Sequence, residues 1–423
     1  MITIISIIVF LIGYILISME HYIKISKTAV SLLVGVVLWL LIAFSESGHF
    51  SIALGESAQE IFELIIFILS AMTLVEILTH YGLFDVVYQK LIKLHIKDRV
   101  QFFSITCLSF VFSAFLDNLT TTIVMVQIAS RFFRGPNLLK AGAAIVIAAN
   151  AGGAFSPIGD VTTTMLWLAN KFTAYEVVTQ IFLPSLSVFL VSSLLIGRTI
   201  ATDTKDIIED TTTITRTEWA IIILCLLSFT FPLIMTVVHL PPYFGLLFGL
   251  GVVWLTVNVF RSRRQGSTKL AMSIEKFFQK TDISSLYFFI GILLAIGALR
   301  HLGILTNISS TIFGNSPSTQ RIISGNIFIG LFSAIFDNIP LTAAAIEIVR
   351  TNISSLWALL AFAVGVGGSL LIVGSAPGII VMTLIKDLTF LKYFRVATIP
   401  ALLSYAVGVI VWLVLHAISG NTL

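Results

Sequence analysis

"NAGGAFSPIGDVTTT", residues Asn150–Thr164, lies between two apolar runs, in the middle of what would otherwise be one continuous greasy helix. Gly and Pro loosen or break a helix, and an aspartate at the centre of a membrane span costs about 2.5–3.5 kcal/mol. Such a break is tolerated at membrane depth only where the freed backbone lines a cavity or is buried in protein. The stretch therefore predicts a discontinuous membrane helix over 140–171 with a binding role at its break.

Composition supports a membrane setting. Of 423 residues, 57% are hydrophobic and 11% are charged, whereas a soluble domain carries about 25% charged residues. The apolar runs are helix-length, so the class is an all-α polytopic membrane protein rather than a barrel. The net charge of +4 reads as basic flanks on the cytoplasmic side, Arg261–Arg264 included, with no nucleic-acid partner. Cys107 and Cys225 sit in apolar runs and build neither a disulfide framework nor a metal signature. The first 18 residues lack a basic leader and a cleavage site, and read as a first span.

Spans are expected near 2–19, 27–44, 60–80, 177–197, 218–238, 243–260, 282–300 and 394–417, with broken helices over 140–171 and 355–388 each crossing once. Two further segments, 100–133 and 321–350, carry Asp117-Asn118 and Asp337-Asn338 at their centres. Lys90, Lys93, Lys97 and Arg99 precede the first, and Arg131, Arg134 and Lys140 follow it, so both ends want the same side. A straight helix of that length would be roughly 51 Å long against a hydrocarbon core of about 30 Å. A re-entrant hairpin with a buried Asp-Asn tip fits better. Ten crossings result, with 21 of 25 Lys and Arg on one side; Lys171, Arg300, Arg321 and Arg350 are the exceptions. Both termini are then expected outside the cytoplasm. The mixed-charge loop near 198–218 joins the halves.

The halves resemble each other. "SAFLDNLTTT" (Ser113–Thr122) matches "SAIFDNIPLT" (Ser333–Thr342) at an offset of 220, and "GGAFSPIGDVT" (Gly152–Thr162) aligns with "GGSLLIVGSAP" (Gly367–Pro377) at 215. "THYGLF" (Thr79–Phe84) matches "RHLGIL" (Arg300–Leu305), pairing His80 with His301. The expected topology makes the repeats inverted, the build of secondary transporters with a midplane site. The division is 1–56, N-terminal helices outside the repeats; 57–200, first repeat; 201–280, linker with two spans; 281–423, second repeat.

Asp117, Asp160 and Asp337 all fall at breaks, among neutral oxygen donors that suit a hard ion. A buried carboxylate repels an anion, attracts a cation and can exchange it for a proton. The symmetry is broken where Asp160 aligns with Ser375, which predicts a tighter first half-site. Glu76 with His80, and Glu347 with Arg350, read as local structural pairs; His301 reads as a pH sensor or an interfacial group. His21, His49, His95, His239 and His416 are assigned nothing. No GK[ST] phosphate loop and no catalytic cluster is present, which argues against a pump and an enzyme. Titratable tips in both halves favour alternating access over a channel.

"LDNLTTT", "NAGGAFSPIGDVTTTMLW", "FDNIPLTAAA" and "GVGGSLLIVGSAPG" together resemble the NhaD-type sodium/proton antiporters of the ion transporter superfamily, from about residue 57 to the end. The resemblance implies two inverted repeats, a common homodimer in the lipid bilayer, and exchange of Na⁺ or Li⁺ for H⁺ across the cell's inner (plasma) membrane, with no cofactor. It assigns cation and proton binding to Asp117, Asn118, Asn150, Asp160, Thr162 and Thr163, and to Ser333, Asp337, Asn338, Ser369 and Ser375. The metal ion, Na⁺ or Li⁺, is expected at Asp117, Asn118, Asn150 and Asp160. The arsenite-permease and P-protein branch shares the tips but reads "GDPPN" where this chain reads "GDVTTT"; it is the alternative, an arsenite or anion permease. Dicarboxylate carriers have neutral tips, unlike these.

Overall fold

The computed structural model describes residues 2–46, 50–94, 96–201, 214–263, 277, 281–313 and 318–419. Arg264, His49, His95 and most of the charged loop (Asp203, Lys205, Asp206, Glu209 and Asp210) lie outside the described residues.

Every regular element among the described residues is helical, as a bilayer demands of backbone polar groups. The N-terminal layer is α1 (Ile2–Ser18), α2 (Lys27–Ser45), α3 (Ser51–His80) and α4 (Leu83–Lys93). A helix–turn–helix follows, α5 (Asp98–Ser113) and α6 (Asn118–Phe132), then α7 (Gly135–Ala154) and α8 (Val161–Leu168) on either side of the opening stretch. After α9 (Ala174–Gly197) come α10 (Arg216–Ser228), α11 (Phe231–Val237) and α12 (Tyr243–Arg263). The same order then recurs: α13 (Ile283–His301) and α14 (Ile304–Phe313), the pair α15 (Thr319–Phe332) and α16 (Asn338–Ile348), and α17 (Ser354–Gly367) and α18 (Ala376–Leu384) around a second break. A π turn, Phe394–Thr398, leads into α19 (Ile399–Ile418).

Among the described residues, seven segments are long and apolar enough to cross a membrane, and the shorter Ile2–Ile17 is also apolar. Large apolar side chains such as Ile4, Leu11, Phe44, Leu255 and Ile410 face outward from them, so the chain is a multi-pass membrane protein. The span expected over 218–238 is present as Arg216–Val237, with a short turn between α10 and α11. Pro232 explains this: it lacks an N–H and its ring crowds the preceding turn.

The centre is α7 and α17. Residues Ala141–Ala154 and Ser355–Gly367 are buried without a break, which explains why both helices are apolar on every face. α5 packs on α7, and α15 packs on α17. The helices beyond the breaks cross over: α18 packs on α6, and α8 packs on α16. α2 lies along α13, joining the N-terminal layer to this core.

Matching atoms meet in both halves. A methyl group on Gly152 would strike the Phe110 carbonyl, and one on Gly367 would strike the carbonyl of Gly330. Ser113 Oγ donates to the Ala149 carbonyl at 2.6 Å, and Ser333 Oγ to that of Val364 at 2.9 Å. Each glycine permits the close approach that each serine then ties.

Candidate functional site

Asp117 and Asp337 are the N-caps of α6 and α16; Asp160 is the N-cap of α8. Three helix N-termini, each with a carboxylate, thus converge with their partial positive charge. The chain between α7 and α8 is held by short turns, Ser156 N–H to Gly153 O and Gly159 N–H to Ser156 O. Ser156 Oγ also donates to Ala114 O at 2.5 Å, fastening the break to the first tip. In the second break, Ser369 O accepts from Tyr393 Oη at 2.7 Å.

Asn118 Nδ2 donates to Asp160 Oδ1 at 3.0 Å and to Asn150 Oδ1 at 3.1 Å. Asn150 Nδ2 in turn donates to Ser369 Oγ at 2.9 Å and Ser375 Oγ at 3.0 Å. One asparagine on α7 therefore joins the first tip to the second break. Thr162 Oγ1 donates to Asp160 Oδ2. Asp117 accepts from Thr120 N–H at 2.8 Å and Thr120 Oγ1 at 2.6 Å. On the other side, Ser333 Oγ donates to Asn338 Oδ1 at 2.5 Å.

A cavity of about 70 Å³ is lined by Asp117, Asn118, Asp160, Asp337, Asn338 and Ser375, together with Lys27 and the apolar side chains of α3 and α13. Such a space has room for a small ion or a few waters. Six of the eleven expected residues thus share one surface. The other five are placed differently. Asn150 and Ser369 are fully buried and reach the cavity through hydrogen bonds. Thr162 holds Asp160 from behind, and Thr163 Oγ1 donates to the Ala154 carbonyl at 3.1 Å. Ser333 orients Asn338.

Asp160 is 3% exposed and Ser375 2%. Gly365 aligns with Asn150 at the 215 offset, and it faces Asp160: a methyl there would lie 3.0 Å from Oδ2. Where one half sets an amide against a serine, the other sets bare backbone against a carboxylate.

A second cavity, about 300 Å³, follows α3, α8, α13 and α16 a turn or two away, with Glu60, Glu63, Lys171, Arg300 and Glu347 on its wall. Arg300 Nη1 donates to Glu60 and Glu347, each at 2.9 Å. Glu347 therefore pairs with Arg300 of α13, not with Arg350 as expected. The reason is that α16 ends at Ile348, so Arg350 leaves the helical register that an i,i+3 pair needs. His301 Nε2 hydrogen-bonds Glu46 at 2.7 Å, and His80 packs its ring on Tyr81 and Phe277.

Sequence reasoning missed Lys27, Thr164 and Ser113. Thr164 lines the cavity and donates to the carbonyls of Pro157 and Asp160, both at 2.9 Å. Ser113 carried a signal, since it aligns with Ser333. Lys27 carried none beyond standing at the head of an apolar run.

Comparison with known proteins follows the same lines. A model of the citrate transporter family matches residues 14–357. Sodium/proton antiporter 2 of Arabidopsis thaliana is 33% identical over 420 residues, covering 96% of this chain and 98% of that protein. Sodium/proton antiporter 1 of the same plant is 34% identical over 418 residues, 96% of this chain and 71% of its own length. The Na⁺/H⁺ antiporter NhaD of Vibrio cholerae is 29% identical over 446 residues, covering 97% of this chain and 91% of that one.

Proposed function

Because the chain belongs to the citrate transporter family, and within it to the NhaD-type sodium/proton antiporters, we infer that it exchanges Na⁺ or Li⁺ for H⁺ by alternating access. It is a multi-pass membrane transporter and not an enzyme. The inner (plasma) membrane is its proposed location, with both termini outside the cytoplasm and a homodimer as the working assembly.

One observation carries the cation reading: Asp117, Asp160 and Asp337 face a single cavity with the amides of Asn118 and Asn338. Oxygen donors of this kind suit a hard cation. A citrate or other carboxylate anion would meet like charge there, which argues against taking the substrate from the family's name. The same carboxylates accept either a cation or a proton, so loading one expels the other. That is the chemical core of antiport.

The arms α5 and α6 have 16 and 15 residues, and α15 and α16 have 14 and 11. At 1.5 Å per residue each is about 24 Å or less, short of a hydrocarbon core of about 30 Å. This supports reading both pairs as re-entrant hairpins. The matched contacts of Gly152 with Phe110 and Gly367 with Gly330 support reading the halves as repeats, inverted as the basic residues require.

The test is proton flux in everted vesicles carrying a pH-sensitive dye, with Na⁺, Li⁺ or K⁺ added after the interior is acidified. Dequenching by Na⁺ or Li⁺, lost in Asp117→Asn and Asp160→Asn, is the expected result. Silence with every cation, alongside uptake of citrate or arsenite, would replace this reading with the anion-permease alternative.

A further inference from the structure

Lys27 belongs to the N-terminal layer, far in sequence from either tip, yet it lines the cavity of the three aspartates. Its Nζ lies 3.6 Å from Asp337 Oδ2, with side chains 22% and 19% exposed. The ammonium also sits over the Phe288 ring, 4.7 Å from its centroid. The start of α2 is held in place: Lys27 N–H donates to Glu20 Oε1 at 2.9 Å, and Thr28 Oγ1 lies 2.9 Å from Ser284 Oγ of α13.

The two tips differ in a way that gives this lysine a purpose. Asp117 is satisfied by the N–H and hydroxyl of Thr120. The aligned residue in the second tip is Pro340, which has neither an N–H nor a hydroxyl. Among the described residues, the backbone N–H that reaches Asp337 is that of Ile339, at a long 3.4 Å. Lys27 Nζ approaches the other oxygen, Oδ2, at 3.6 Å, and it brings a full positive charge.

We propose that Lys27 is a tethered competitor for the transported cation, pairing with Asp337 when the cavity holds no ion and being displaced from it when Na⁺ or Li⁺ binds. The ammonium and the ion carry the same charge and seek the same carboxylate, so the cavity does not hold both against Asp337 without repulsion. Lys27 therefore lowers cation affinity and helps eject the ion, which a transporter needs as much as binding. This role rests on the cation reading above, and it makes Asp337 the carboxylate whose partner changes during turnover.

The experiment uses the full-length protein, purified and reconstituted, with two readouts. The first is the apparent KM for Na⁺ in proton-flux assays. The second is the Na⁺ concentration giving half-maximal thermal stabilisation, which needs binding but no turnover. Lys27→Gln is expected to lower both by roughly tenfold, the scale of one partly screened unit charge at this distance. Lys27→Arg, which keeps the charge, is expected to stay near the unsubstituted protein. In an Asp337→Asn background, read by thermal stabilisation because flux itself is expected to fall, Lys27→Gln is expected not to shift the half-maximal Na⁺ concentration, because the competition has no object. An unchanged or raised half-saturation in Lys27→Gln overturns the proposal, and so does an equal shift with Asp337 already neutralised. An unsubstituted protein that ignores Na⁺ in both readouts overturns the cation reading and this role together. A responsive protein with an indifferent Lys27→Gln overturns this role alone.

Discussion

Asp160 and Ser375 occupy matched positions, and the difference between them is a charge. Asp160 has Asn118 and Thr162 as donors and Gly365 as a bare neighbour, while Ser375 accepts one bond from Asn150. Asp160→Asn should abolish cation-driven proton flux, and Ser375→Ala should only weaken it; the reverse order in the vesicle assay would contradict the tighter first half-site. Asn150 is fully buried and partnered at both ends of its amide. Truncating it leaves Asn118, Ser369 and Ser375 short of a partner, and each such buried group costs about 1–3 kcal/mol. Asn150→Ala should therefore lower the unfolding temperature in detergent as well as the exchange rate. A variant that loses transport at unchanged thermal stability would mean that the amide meets only the ion.

At the scale of elements, the breaks depend on glycines that let helices touch backbone to backbone. Gly152 meets Phe110 and Gly367 meets Gly330 through carbonyl oxygens that cannot move aside. Overpacking of this kind costs typically about 1–3 kcal/mol. Gly152→Ala and Gly367→Ala should each reduce the yield of folded protein and its thermal midpoint. Gly55→Ala in α3, where nothing lies within 4 Å of the added methyl, should do neither. The broken helices were legible because Gly, Pro and Asp inside an apolar run are local signals. The span over 218–238 was legible from its apolar run, and the turn within it, between α10 and α11, from Pro232. The Glu347–Arg350 pair was misjudged because spacing alone does not say where a helix ends.

At the scale of the whole molecule, the crossing of α18 onto α6 and of α8 onto α16 means that neither half completes the cavity alone. On the proposed reading, the three aspartates that line this cavity answer to one ion and to protons together. Linkage then fixes a sign: each proton bound removes a charge that the cation needs, so cation affinity falls as pH falls. Apparent KM for Na⁺ should rise steadily on acidification, by up to about tenfold per pH unit if one proton competes. A flat KM with a falling maximal rate would place the titrating group outside the cavity. If the proposed competition holds, exchange should be fastest on the alkaline side, up to the point where protons no longer load.

The chain by itself determined which groups are costly in a membrane and where the helices give way. Asp117, Asp160 and Asp337, with their glycines, asparagines and threonines, are visible because each departs from an apolar background within a few residues. The repeat is visible because the departures recur at offsets of 220 and 215. Only the tertiary structure decided who meets whom. Asn150 bonds serines 219 and 225 residues away, Arg300 takes Glu347 and Glu60 together, and Lys27 faces Asp337 from the first layer. Such choices turn on how whole helices cross and on which carboxylate lacks a donor of its own, and no local pattern of residues encodes either.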